Sequence, residues 1–195
     1  MPRLFTGIEL PEEIRDQLGD LEQPLPGVRF IEEDNLHITL RFAGDIDNGT
    51  AREFSSFLDG IQVPAFEMRL EGLGTFGGKE PRTLWSGVVA GPELEQLARA
   101  NERAARAAGL KPETRGFKPH VTIARLNKPR IDALSRFLTR HAMFRSRPFI
   151  VDRFVLYSSK PNVGGGPYVI EETFPLLGAA WNDESSDGPD SGRRW

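Results

Sequence analysis

The chain has no cysteine among its 195 residues. That excludes disulfides, thiolate metal sites, iron–sulfur clusters and a cysteine nucleophile. Histidine is also scarce: His37, His120 and His141 are the only three, so a three-histidine metal site would consume all of them. No apolar run approaches the roughly 20 residues of a membrane helix. The start, MPRLFTGIEL, lacks the basic and apolar regions of a secretory signal. No membrane partner is expected, and the cytoplasm is the expected compartment. There is no gross excess of one charge either, the formal net charge being −3. Its distribution is uneven. Residues 111–130 carry Lys111, Arg115, Lys118, Arg125, Lys128 and Arg130 against Glu113, a net of +5. Such a segment suits an anion such as phosphate, or a solvated loop face.

Hydrophobic residues make up 38% and charged residues 27%, the balance of a globular chain. The length fits one sizeable domain, or two small lobes sharing a core. Period-two alternation predicts strands over 3–10, 28–31, 36–42, 66–70, 82–90, 118–125, 149–157 and 168–174. Four helices are expected. The first opens at Pro11-Glu12-Glu13 and buries Ile14, Leu18 and Leu21. The second is capped by Asn48 or Thr50 and buries Phe54, Phe57, Leu58 and Ile61. The third opens at Gly91-Pro92-Glu93 and stops at Gly109, with Leu94, Leu97, Ala98, Ala104, Ala105 and Ala108 inward. The fourth spans 131–140 and bears Ile131, Leu134 and Leu138. Gly72, Gly74, Gly77 and Gly78 read as a flexible connection. Strands grouped between helices predict an α+β fold with antiparallel pairing. Residues 1–178 form one domain, and the polar, acidic residues 179–195 read as a disordered tail.

Two of the three histidines share a setting: His37-Ile38-Thr39-Leu40 and His120-Val121-Thr122-Ile123. On a strand, each histidine shares a face with the threonine two positions on, and the aliphatics take the other face. The copies lie 83 residues apart, as a duplication with one copy in each lobe would place them. A single match is weak, because threonine is common on strands and a half-buried histidine is ordinary. Two matches among three histidines carry far more weight. The chemistry is direct. A histidine exchanges protons near neutral pH. Two of them flanking a phosphodiester can divide the work, one taking a proton from water and the other protonating the departing alkoxide. Two threonine hydroxyls can hold the phosphate between them. No metal is required, and neither HxH nor HExxH spacing is present.

These motifs identify a family resemblance. The chain resembles the two-histidine (2H) phosphoesterases, whose hallmark is a pair of HxTx motifs. Within them it is most similar to the RNA 2′,3′-cyclic phosphodiesterases, also called 2′-5′ RNA ligases or LigT-like proteins. The similarity includes RLFTGIELP at the start, HITLRFAG, LWSGV at 84–88, FKPHVTIAR at 117–125 and YSSKPNVGGGPYVIEETFPL near the end. It implies two pseudo-symmetric lobes of antiparallel strands with flanking helices around a central cleft. It implies His37 and His120 as the catalytic pair and Thr39 and Thr122 as phosphate-binding hydroxyls. Arg125 matches a basic position after the second motif, although strict alternation turns it away from Thr122. Arg41 has the parity to join His37, but the resemblance gives it no role. Among aromatics, Phe117 is the best candidate to stack on a base; Phe42 has the wrong parity and Trp85 reads as core. Ser158 with 164–168 reads as a substrate loop or a plain turn, and His141 has no catalytic role. The implied activity is hydrolysis of RNA 2′,3′-cyclic phosphate ends to 2′-phosphates, with no metal or cofactor, by a monomer. Three alternatives stay open: a small cyclic or 2′-5′-linked nucleotide as substrate, 2′-5′ ligation, and a non-catalytic RNA-binding module.

Overall fold

The computed structural model describes residues 3–159 and 167–179. Residues 164–166 of the expected substrate loop, and the expected tail from residue 180 on, lie outside the described residues. Four helices and nine strands are present among those described. They run β1 (Arg3–Glu9), α1 (Glu12–Gly19), β2 (Val28–Phe30), β3 (His37–Asp45), α2 (Asn48–Asp59), β4 (Phe66–Phe76), β5 (Thr83–Ala90), α3 (Pro92–Ala107), β6 (His120–Leu126), α4 (Ile131–Arg140), β7 (Phe149–Val151), β8 (Arg153–Ser159) and β9 (Tyr168–Pro175). A short 3₁₀ turn, Glu33–Asn35, precedes β3.

Local chemistry explains most boundaries. Glu12 and Glu13 place negative charge in the first turn of α1. The cap of α2 is Asp47, whose carboxylate accepts from the Gly49 and Thr50 amides at 2.8 and 3.0 Å. It stands one residue ahead of the expected Asn48, and Thr50 donates its hydroxyl to the same carboxylate. All six inward residues expected of α3 are buried. In α2 and α4 the stripe is narrower: Phe57 and Ile131 are exposed, while Phe137 joins Leu134 inside. Gly72 and Gly74 are not a loop. They lie within β4, where Gly72, at φ 74°, sits in a bulge between Glu71 and Leu73. The single strand expected over 149–157 divides at Asp152 into β7, which pairs with β4, and β8, which pairs with β1.

All strands belong to one antiparallel sheet in the order β7-β4-β5-β6-β3-β1-β8-β9, with β2 beside the far end of β6. β7 and β8 stand at distant places in that order yet are separated in sequence by Asp152 alone, so the sheet must curl. The order is symmetric about the β6–β3 seam, with four strands on each side. Each half leads from a strand through a helix to the motif strand, β1-α1-β3 and β5-α3-β6, the first with β2 and the 3₁₀ turn inserted before β3. The helices cover one face and enclose the main core with Ile38, Leu40, Val121 and Ile123.

Both motif strands carry a bulge at the same place. In β3, Thr39 pairs with Gly7 and Arg41 with Thr6, which leaves Leu40 as the extra residue. In β6, Thr122 pairs with Trp85 and Ala124 with Leu84, which leaves Ile123 extra. An extra residue reverses the alternation beyond it. Arg41 therefore turns inward, at 7% exposure, where it pairs with Glu102 of α3 and donates to the carbonyls of Phe42 and Lys111. Phe42 turns outward, at 46% exposure. Strict parity assigns the opposite positions, and the bulge is the reason it fails.

Removing one member of an inward ion pair strands its partner. Arg41→Met should lower the unfolding free energy in urea by roughly 2–4 kcal/mol, toward the low end for buried pairs because Glu102 is partly solvated. Phe42→Ser should change it by less than about 1 kcal/mol. Without the bulge the two effects would be reversed.

Candidate active site

The site begins with two aliphatic side chains. Ile38 of β3 and Val121 of β6 pair across the seam, and both are fully buried at 0% exposure. Their neighbours along each strand must therefore project from the opposite face. Antiparallel pairing then sets His37 beside Thr122, and Thr39 beside His120. Each histidine neighbours the threonine of the other motif, so the four polar side chains are gathered on one face at the centre of the sheet.

Both rings are held in the same way. His37 Nδ1 lies 2.7 Å from the Asn35 carbonyl oxygen, and His120 Nδ1 lies 2.6 Å from that of Lys118. In each case the acceptor is two residues before the histidine. A carbonyl only accepts, so each Nδ1 carries the proton and donates it. That leaves Nε2 of each neutral ring free to accept.

The surroundings of the two rings differ. His37 is walled by Phe5, Tyr157 and Tyr168, with ring centroids 5.0, 5.5 and 5.0 Å away. Phe5, Val155 and Tyr157, with Tyr168 against them, form an apolar cluster separate from the main core. Gly7 lies beneath this wall. A Cβ there would stand 2.7 Å from the Ile38 carbonyl oxygen and 3.2 Å from the Tyr157 ring. His120 meets Phe76 edge-on at 5.0 Å, and Phe76 packs in turn on Trp85. Burial among the rings pushes the His37 pKa down to about 4. The bond to Asn35 works against this shift, and the positive charges of Arg125 and His120 add to it.

The bulge in β6 decides the place of Arg125. It is exposed, on the side of Thr122, and near enough for its charge to act on His37. Trp85, expected in the core, pairs with Thr122 and so shares its side of the sheet. Phe117 is half-buried and packs against the main core. His141 caps the end of α4 beside Phe137. The sequence reading missed Phe5, Phe76, Tyr157 and the Asn35 carbonyl, and had Tyr168 only as the end of a candidate substrate loop. Phe5 shares strand parity with Gly7, a usable signal once β1 is placed beside β3. The others depend on strand neighbours far apart in sequence, or on a backbone atom that every residue has.

The depressed His37 pKa has a sign. The folded state holds the ring neutral, while the unfolded chain takes up a proton below about 6.5. The contribution is complete above that pH and is lost as pH falls through about 4. The urea midpoint should therefore drop across this window, and less steeply in His37→Gln. In Arg125→Ala the His37 titration followed by NMR should move upward, because a nearby positive charge has gone.

Comparison with known proteins gives the chain's family. The model of the 2′-5′ RNA ligase superfamily matches residues 10–162. A protein named RNA 2′,3′-cyclic phosphodiesterase from Aquifex aeolicus is 33% identical over 156 residues, 77% of this chain and 82% of that protein. One of the same name from Aeropyrum pernix is 36% identical over 128 residues, 64% of this chain and 71% of that protein. Among solved structures, E. coli LigT complexed with 3′-AMP superposes with a TM-score of 0.72 at 28% identity, covering 91% of this chain and 99% of that one. With its paired motifs facing one another across the sheet seam, the chain belongs to the 2′-5′ RNA ligase superfamily.

Proposed function

We propose that the chain hydrolyses 2′,3′-cyclic phosphate ends of RNA to 2′-phosphates, by two-histidine acid–base chemistry that needs no metal. The observation that carries this reading is the Ile38–Val121 register, which puts two histidines and two threonines on one face. The names of the relatives from Aquifex aeolicus and Aeropyrum pernix support the substrate class. In the reaction, water attacks phosphorus while His120 Nε2 takes its proton. The bond from phosphorus to O3′ breaks, and a protonated His37 Nε2 delivers a proton to that oxygen. Thr39 and Thr122 donate hydroxyl hydrogen bonds to the non-bridging oxygens, and Arg125 offsets the charge that develops there.

A ring with a pKa of about 4 is a poor proton donor at neutral pH. The substrate supplies the remedy. A phosphate charge about 4 Å from the ring stabilises imidazolium by roughly 4 kcal/mol at an effective dielectric of about 20. That is about a thousandfold in proton affinity, whereas the fall from 6.5 to about 4 is a few hundredfold. His37 thus becomes charged when an anion arrives. The Nδ1 bond to Asn35 keeps its other nitrogen aimed at the phosphate.

The test is product analysis on an RNA oligomer ending in a 2′,3′-cyclic phosphate, with chelator present. Wild type should form the 2′-phosphate. His37→Ala and His120→Ala should each lose at least about a hundredfold in turnover while keeping the wild-type circular dichroism. Near-normal turnover in either variant would overturn the mechanism, and inactive wild type would overturn the substrate assignment. Binding of phosphate near pH 6 should take up protons, measurable by calorimetry in buffers of different ionisation enthalpy, and His37→Ala should reduce that uptake.

A further inference from the structure

The two histidine clamps use the same kind of acceptor, but the acceptors are supported differently. Lys118, whose carbonyl holds His120, is an exposed residue between Phe117 and Pro119. Asn35, whose carbonyl holds His37, is 6% exposed at the end of the 3₁₀ turn. Its Oδ1 accepts from the Tyr168 backbone N–H at 3.1 Å, and its Nδ2 donates to Glu32 at 3.5 Å. Tyr168 opens β9, and its ring stands edge-on to His37 with an interplanar angle of 86°. One residue therefore touches both the acceptor that orients His37 and the strand that presents a shielding ring.

We propose that Asn35 is a positioning residue for His37, its side chain locking the 3₁₀ turn to the start of β9. The carbonyl that orients the imidazole and the Tyr168 ring that excludes water then keep their places together. The inference rests on the two-histidine reading of the site. The side chain must present an acceptor to the Tyr168 N–H without adding a charge beside His37. Asparagine meets both conditions. Aspartate supplies the acceptor but adds a negative charge, and alanine adds no charge but lacks the acceptor. The charged and titratable groups around His37 are His120 and Arg125 from β6, Glu9 paired with it on β1, Tyr157 from β8 and Tyr168 from β9.

The experiment uses the full chain. Imidazole NMR follows the titration of His37 and His120, and steady-state kinetics follow turnover of an RNA oligomer ending in a 2′,3′-cyclic phosphate. In Asn35→Ala the ring becomes better hydrated, so the His37 midpoint should rise from about 4 toward the ordinary value near 6.5. The His120 midpoint should stay in place, and the His37–Tyr168 cross-relaxation should weaken. A small misplacement of a reacting group should cost about tenfold to a hundredfold in kcat, with KM changed less than about twofold. Asn35→Asp should keep the cross-relaxation and the Nδ1 proton while raising the His37 midpoint through its charge.

A folded Asn35→Ala protein with unchanged His37 midpoint and cross-relaxation would overturn the proposal. If that variant does not fold, Asn35→Asp carries the test, and an unchanged His37 midpoint or a lost cross-relaxation would overturn it. Failure of the two-histidine reading is distinct, because it appears as wild type without turnover while the NMR comparison still reports on Asn35.

Discussion

The structure depends on one cross-strand contact, Ile38 against Val121 at the β3–β6 seam. Both side chains are buried at 0% exposure in the core that the helices enclose. Burying two such residues is worth several kcal/mol in water-to-core transfer. It also fixes the register, since a slip of one residue would turn every neighbouring side chain to the other face. The polar group of two histidines and two threonines is therefore held in place by hydrophobic burial on the reverse side of the sheet. No direct bond between the motifs is required for this.

The bulges make an alternating strand serve two purposes. Before the bulge, each motif strand points its histidine and threonine to the open face. After it, one more residue is sent inward than alternation permits. In β6 the result is an outward Arg125 beside the site. In β3 the equivalent position is Phe42, and the residue before it, Arg41, anchors β3 to α3 through Glu102. The fold is nearly symmetric, but the residues at equivalent positions are not. Position for position, β6 presents the Arg125 guanidinium where β3 presents the Phe42 ring, which carries Arg3 over its face at 5.7 Å.

The same asymmetry separates the histidines. Each is held by a carbonyl two residues earlier, which fixes the tautomer. His37 is set among three aromatic rings, and burial lowers its proton affinity. Enclosure by rings strengthens the charge interactions made beside His37, so a group that burial makes hard to protonate responds strongly to a nearby anion. Two residues with the same local sequence thereby stand in different surroundings.

Much of this is legible in the sequence. Every helix fell near its expected place, because periodicity and capping chemistry act over a few neighbouring residues. The paired HxTx pattern singled out His37, Thr39, His120 and Thr122, because strand alternation alone gathers each histidine with its threonine. The failures share a cause. Arg41, Phe42 and Trp85 were misplaced, the first two because a bulge changes parity and a bulge is set by the partner strand. The split of 149–157 into β7 and β8 follows from the curl of the sheet, which no local pattern records. The sequence by itself determined the elements, the buried faces and the inventory of proton-transfer groups. Only the tertiary structure decided which motif faces which, which side Arg125 takes and how dry His37 is, because those depend on contacts between strands distant in sequence.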